Sequence, residues 1–376
     1  MSAFTTIPTL DLSQALLPET KPRLLEQLRH AVIEVGMLYV CNTGISPDLV
    51  EQVKEQCVAF FDQPLEKKLE IELANVPSFL GYTRQLGTEM TAGAVDWREH
   101  LSLSTQHPPP SPDEPLYRNL LGPNQWPDPA SLPRFREVYE RYLADMSQLS
   151  TRFTALIAEA LGLDAGAFDR YFDEHQQHRL KIIKYPDLSR PKQQQEQEQE
   201  QERELAKNEQ ALGAHKDSQV MTFILQASPH RSLQAQNGAG AWLDVPPVDG
   251  TFVVAVGQGL EAMAHGVCAA ATHRVLPPAP AGAGDRYSLA FIKSVSLDLQ
   301  LRAADMPAGL MRLRRELAER CPERGDEVGR LYGDGKWADV GEQSLLHRIR
   351  SHPDVAQRWY PDIWKSVAPQ VAAGTV

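Results

Sequence analysis

The sequence predicts a mainly β protein with flanking helices, built on a double-stranded β-helix, or jelly-roll, core. From Arg179 onward the chain falls into short β-prone runs, LKIIKY, VMTFILQ, AWLDV, TFVVAVG, ATHRV and YSLAFIK, separated by Gly, Pro, Asn and Ser. Closely spaced short strands with such punctuation point to a sandwich or barrel. On both sides of this region apolar residues instead recur every three or four positions, as in amphipathic helices. Long helices do not alternate with the strands, which argues against a parallel sheet.

Pro22 opens the first helical pattern, in which Leu24, Leu25, Leu28, Val32 and Ile33 share a face until Gly36 ends it. MLYVCN then reads as a strand closing at Asn42, Thr43 and Gly44, and Ser46 to Phe61 reads as helix. A longer helical pattern covers Leu132 to Leu161, and the Pro-rich segment from His107 to Pro133 reads as a long surface connection. Beyond the β-prone runs, helical patterns return at Gly309 to Arg320 and near Ser344 to Arg350. Gln193 to Glu202 reads QQQEQEQEQE and has no apolar face, which predicts a solvated insertion just ahead of His215. The expected organisation is one domain, 1–376, with an N-terminal mainly helical region at 1–176, a jelly-roll core at 177–296 carrying the insertion at 191–210, and a helical region at 297–376.

Composition narrows the function. Hydrophobic residues at 42% and charged residues at 23% suit a folded globular chain, and 376 residues can bury a large core. A formal charge of −11 disfavours nucleic acid and anionic membrane surfaces, both of which reward clustered Lys and Arg. The N-terminus, MSAFTTIPTLDLSQ, lacks the basic start and apolar run of a signal peptide, and no stretch is apolar for long enough to span a bilayer. Cys41, Cys57, Cys268 and Cys321 show no paired metal or redox spacing, so a cytoplasmic chain with reduced thiols is expected.

The chemistry-bearing residues cluster late in the chain. His215-Lys216-Asp217 sets two potential metal ligands at i and i+2, on one face of an extended strand. Alone, such a pair arises by accident in a chain with eleven histidines. His273 follows 56 positions after Asp217, and two imidazoles with one carboxylate form a facial triad that leaves coordination positions open, as iron(II) chemistry with dioxygen requires. A closed structural zinc site would call for a fourth ligand, for which His265 is the nearby candidate, although a turn before Gly266 accounts for it as well. Arg286 and Ser288 share a strand face thirteen residues and more beyond His273, and a guanidinium beside a hydroxyl is a receptor for a carboxylate.

In order, H-x-D, H-R-V and R-x-S resemble the isopenicillin N synthase-like family of 2-oxoglutarate and iron(II)-dependent oxygenases. VGMLYVCNTGI, FFDQPLEKKL, GYTRQLGTE and DWREHLSL resemble that family's N-terminal segments, so the resemblance runs from about Ile7 to about Lys293. It implies iron(II) held by His215, Asp217 and His273, 2-oxoglutarate held by Arg286, Ser288 and Tyr185, dioxygen as oxidant, and hydroxylation, desaturation or cyclisation of a small organic molecule, with secondary metabolism as a plausible setting. It also suggests Tyr82 and Arg84 as pocket-lining residues, while strand parity adds Ile292. The expected assembly is a monomer or weak homo-oligomer. The sequence departs from the family at Ile183, where many relatives carry Asn, and at Gln258, where they carry Asp. An iron oxidase without 2-oxoglutarate and a non-catalytic metal-binding jelly roll remain as alternatives at this point.

Overall fold

The computed structural model describes residues 2–84, 90–91, 94–173, 177–187, 210–279, 282–300, 308–320 and 339–372. The Gln/Glu-rich stretch lies outside the described residues.

The N-terminal half supplies β1 (Thr9–Asp11), β2 (Met37–Cys41), β3 (Gly81–Thr83), the two-residue pair β4 (Met90–Thr91) and β5 (Ala94–Val95), and β6 (Glu99–Ser104). The remaining strands are β7 (Arg179–Tyr185), β8 (Leu212–His215), β9 (Met221–Gln226), β10 (Leu233–Gln236), β11 (Trp242–Asp244), β12 (Thr251–Val256), β13 (His273–Val275) and β14 (Arg286–Lys293). They form an eight-stranded sheet in the order β1-β2-β12-β9-β14-β7-β6-β3 and a four-stranded sheet in the order β11-β10-β13-β8. These two sheets make up the jelly-roll core. All six predicted β-prone runs are strands, and the segment expected to be mainly helical also contributes β1, β2, β3 and β6 to the large sheet.

The helices are α1 (Lys21–His30), α2 (Pro47–Phe61), α3 (Leu65–Leu69), α4 (Phe135–Ala160), α5 (Gln258–Met263), α6 (Ala308–Arg320), α7 (Val340–Ser351), α8 (Pro353–Trp359) and α9 (Pro361–Ala372). After α1 the chain widens into a π-helical turn, Ala31–Val35, and Gly36 closes it with φ 76°, a left-handed conformation natural to glycine. A Cβ at Gly36 would also lie 2.5 Å from the Ala269 carbonyl oxygen. The periodic positions Leu24, Leu28, Val32 and Ile33 are buried as predicted.

Strand alternation gives the large sheet two apolar faces. Leu101, Leu180, Ile182, Phe223, Leu289 and Phe291 pack against helical residues such as Phe60, Phe135, Tyr139 and Phe153. On the other face Met37, Tyr39, Ile183, Tyr185, Ile224 and Val253 meet Leu212, Leu233, Ala235 and Val275 of the small sheet. The Pro-rich connection is not purely a surface feature, since Leu120 and Leu121 in its 3-10 turn are buried against Leu345, Ile349 and Tyr360 of the C-terminal helices.

Candidate metal and co-substrate site

β8 and β13 pair antiparallel with His215 opposite His273, so the two imidazoles stand side by side with ring centroids 4.3 Å apart. Asp217 sits two residues beyond His215, in the connection to β9. Its Oδ1 lies 3.5 Å from His215 Nε2 and 3.9 Å from His273 Nε2. One ligand atom from each of the three falls within 4.8 Å of the others, and among the described residues no fourth His, Cys, Asp or Glu joins them. His265 lies in the turn after α5 with φ 49°, outside this group.

The surroundings orient each ligand. His215 Nδ1 is 2.8 Å from the Gly213 carbonyl oxygen and His273 Nδ1 is 3.0 Å from that of Ala271. Each Nδ1 therefore carries the proton and donates, and each Nε2 presents its lone pair to the shared centre. Thr222 donates its hydroxyl to Asp217 Oδ2 at 2.5 Å, leaving Oδ1 for the same centre. Burial alone would raise the Asp217 carboxyl, but the His273 and His215 charges and the Thr222 hydrogen bond hold it well below the usual carboxylate range. Burial lowers His273, and the neighbouring His215 lowers it further. His215 moves the other way: burial lowers it, but the Asp217 hydrogen bond and charge and the Gly213 carbonyl outweigh that and raise it. Two imidazoles that turn Nε2 toward one ionised carboxylate, with His215 giving up a proton when a metal is taken, fit an open-sided divalent metal of the iron(II) type better than a closed four-ligand zinc.

The Asp217 connection is held from α5. The amide N–H of Gln258 donates to the Asp217 carbonyl at 2.8 Å, that of Gly259 to Gln219 at 2.9 Å, and that of Gly257 to Val220 at 3.0 Å. Backbone groups form these bonds, so they do not depend on whether Gln or Asp stands at 258. A Cβ on Gly257 would sit 2.1 Å from the Gln219 carbonyl oxygen.

Deeper between the sheets, β14 and β7 pair Arg286 with Tyr185. Arg286 is 2% exposed; its guanidinium lies 4.8 Å above the Tyr185 ring and 3.4 Å from Ser288 Oγ. No carboxylate among the described residues forms an ion pair with it. The adjacent Asp285 is committed elsewhere, accepting from Lys184 at 3.1 Å and from the Asp187 amide at 2.8 Å. Burial lowers the Arg286 pKa, opposed by Tyr185. An uncompensated buried guanidinium is costly and calls for an anion. Ile292 lies on the same strand face, half-buried and opposite Thr222 in register.

The structure does not place Tyr82 or Arg84 in this space. Tyr82 is on the helix-side face of β3, against Phe60, with its hydroxyl donating to Glu99 at 2.6 Å. Arg84 is exposed and pairs with Glu72 at 2.9 Å. Both were suggested by family position, which does not register strand parity on the neighbouring β6. Two residues escaped the sequence reading. One is Thr222; the other is Gln226, opposite Ser288 in register, whose Nε2 donates to Val245 and whose buried Oε1 has no partner. Period-two parity with Ile224 would have placed both on the inner face.

Comparison with known proteins agrees with this architecture. A model of the N-terminal region of the non-haem dioxygenase in morphine synthesis matches residues 7–129, and one of the 2OG-Fe(II) oxygenase superfamily matches residues 170–294. The chain is 51% identical over 372 residues to the 2-oxoglutarate-dependent dioxygenase frbJ of Dothideomycetidae sp. (strain 11243), covering 98% of this chain and 96% of that protein. It is 33% identical over 383 residues to a 2-oxoglutarate-dependent dioxygenase of Gibberella zeae, covering 99% of this chain and 95% of that protein. The crystal structure of a full-length Neurospora crassa protein in complex with alpha-KG superimposes with a TM-score of 0.67 at 23% identity, covering 81% of this chain and 89% of that one, a likeness of fold. With the paired imidazoles, the single carboxylate and the buried guanidinium in one jelly roll, the chain belongs to the 2OG-Fe(II) oxygenase superfamily and is a 2-oxoglutarate-dependent dioxygenase using iron(II), 2-oxoglutarate and dioxygen.

Proposed function

We propose that His215, Asp217 and His273 hold the iron, and that Arg286, Ser288 and Tyr185 hold the distal carboxylate of 2-oxoglutarate, so that a small organic molecule is oxidised beside them. The observation that carries the co-substrate assignment is Arg286, a guanidinium 2% exposed and without a carboxylate partner among the described residues, on the same inner face as Ser288. A dicarboxylate supplies the missing charge through paired, charge-assisted hydrogen bonds.

When bound, iron and 2-oxoglutarate together activate dioxygen, with succinate and carbon dioxide as co-products and an oxidising equivalent for the substrate. The chain's own residues prepare the site. His215 and His273 offer neutral Nε2 atoms because backbone carbonyls keep their protons on Nδ1. Thr222 turns Asp217 so that one oxygen serves the metal. Ile183, Ile224 and Val253 make the pocket walls apolar and help exclude water. Ile292, next to Thr222 in register, is proposed to contact the substrate. Secondary metabolism is the setting we infer from the fungal relatives.

No helix among the described residues is long and apolar enough to cross a membrane. Cys41 and Cys57 are free thiols, which suits a reducing compartment, and we place the enzyme in the cytoplasm on that ground.

The test is anaerobic titration of iron-loaded protein with 2-oxoglutarate, following the weak visible charge-transfer band of chelated iron(II). The reading expects a band in the wild type that is lost in Asp217→Ala. Iron binding without any band on adding 2-oxoglutarate would overturn the co-substrate assignment.

A further inference from the structure

A cavity of about 300 Å³ lies on the helix side of the large sheet, at the end of β14, on the opposite face from His215, Asp217 and His273. Two buried polar atoms of its lining are unpaired among the described residues, and one buried ammonium has no counter-charge there. Lys293 is 2% exposed, yet its ammonium has only hydroxyl partners, Thr151 at 3.3 Å and Ser150 at 3.5 Å, and the face of Phe172 at 4.4 Å. No carboxylate among the described residues lies within ion-pair distance of it. Burial pushes this amine down to about 8, against the opposing charge of Asp169. The buried Gln177 Nε2 has no hydrogen-bond partner among the described residues. On another part of the lining Asp173 has one oxygen accepting from Ser296 and a second, buried oxygen with no partner among the described residues.

Buried polar atoms left unpaired each cost free energy, so several around one cavity describe the complement of a ligand. The donors here are the Lys293 ammonium and the Gln177 Nε2; the acceptors are the half-buried carboxylate of Asp173 and, on the exposed part of the lining, that of Asp169. A plain anion would satisfy Lys293 but face two carboxylates, and a plain amine would satisfy those and leave Lys293 without a counter-charge. Only a molecule carrying both charges answers the whole lining.

We propose that this cavity is a second ligand site, separate from the metal centre, for a small zwitterion of the α-amino-acid class, with its carboxylate at Lys293 and Gln177 and its ammonium at Asp173 and Asp169. The volume suits a ligand of that size.

The experiment uses iron-loaded, 2-oxoglutarate-bound protein kept anaerobic, so that the co-substrate site is already filled, and the cavity variants below separate binding here from binding beside the metal. L-alanine, L-serine and L-glutamine are titrated by calorimetry and by melting temperature, with acetate and methylamine at equal concentration as single-charge probes. The expected result is saturable binding of at least one amino acid and a saturable rise in melting temperature, with neither single-charge probe matching it. Lys293→Met and Asp173→Asn should each weaken that binding by about tenfold or more, since each removes a charged partner. Gln177→Leu, which deletes the unpaired Nε2 donor, should likewise weaken amino-acid binding and provides a second readout should Lys293→Met not fold. The proposal is overturned by no saturable binding of any of the three amino acids, by acetate or methylamine binding equally well, or by affinity unchanged in the variants.

Discussion

Thr222 Oγ1 stands 2.5 Å from Asp217 Oδ2, and that contact decides which carboxylate oxygen faces His215 and His273. Metal ligands depend on such supporting groups for orientation, and removing one typically lowers metal affinity by about 10–100-fold. Thr222→Val keeps the shape and deletes the donor. Iron(II) or cobalt(II) titration should therefore show an affinity loss in about that range, with Thr222→Ser restoring most of it. Unchanged affinity in the valine variant would remove Thr222 from the site.

Arg286 gives a prediction with two opposite signs. Without co-substrate its charge is buried and has no carboxylate partner among the described residues, so Arg286→Met should leave the co-substrate-free protein as stable as the wild type or more so. The same change removes hydrogen bonds to a carboxylate worth about 1.5–3 kcal/mol each, so the 2-oxoglutarate requirement should rise by more than about tenfold while iron affinity holds. Thermal melts with and without 2-oxoglutarate measure both arms.

The pH dependence of metal binding follows from His215. Its pKa is raised from 6.5 in the metal-free protein. A raised histidine stabilises the metal-free fold fully below its unfolded pKa, and that contribution disappears as pH rises through the folded value. The metal takes the neutral Nε2, so capture displaces that proton below the folded value and none above it. Burial lowers His273, so it sheds its proton at lower pH than His215. Iron(II) affinity should thus increase with pH from about 6 and level off above the folded value of His215. Calorimetry in buffers of different ionisation heat reads the proton release directly, and a flat profile would contradict the assignment.

Gly257 tests the support from α5. A Cβ there would lie 2.1 Å from the Gln219 carbonyl oxygen and 3.0 Å from that of Asp217. Gly257→Ala must displace the Asp217 connection, so metal affinity should fall while far-ultraviolet circular dichroism stays near that of the wild type. Full metal affinity in this variant would show that the connection is not held in this way.

The helix side of the sheet carries its own buried charge network. Glu99 accepts from Lys68 at 2.8 Å and from the Tyr82 hydroxyl at 2.6 Å, and lies 3.5 Å from Lys184. Glu99→Leu strands Lys68, which is 7% exposed, and should cost about 3–5 kcal/mol in urea unfolding. Adding Lys68→Met should recover part of that loss, because it removes the orphaned charge.

Much of the fold was legible because its signals are local. Leu24 to Ile33 recur at helical spacing, and the runs around Ile182, Phe223, Val253 and Phe291 are β-prone between turn residues; these are backbone preferences of short segments. Less legible were β8 and β10, LGAH and LQAQ, which hold no β-branched residue and become strands through pairing with β13. Also less legible were α8 and α9, whose first turns hold Pro353 and Pro361, where a missing N–H does no harm.

The sequence by itself determined the chemical inventory: a His-x-Asp pair, a later histidine, and an Arg-x-Ser pair at strand spacing. Only the tertiary structure decided how charge is shared among neighbours. It commits Asp285 to Lys184 and leaves Arg286 with no carboxylate partner among the described residues, turns Tyr82 toward Glu99 instead of the pocket, and brings Thr222 onto Asp217. Strand parity assigns a side chain to one face or the other, but which groups meet across that face depends on the register of strands distant in the chain, and no local pattern encodes that register.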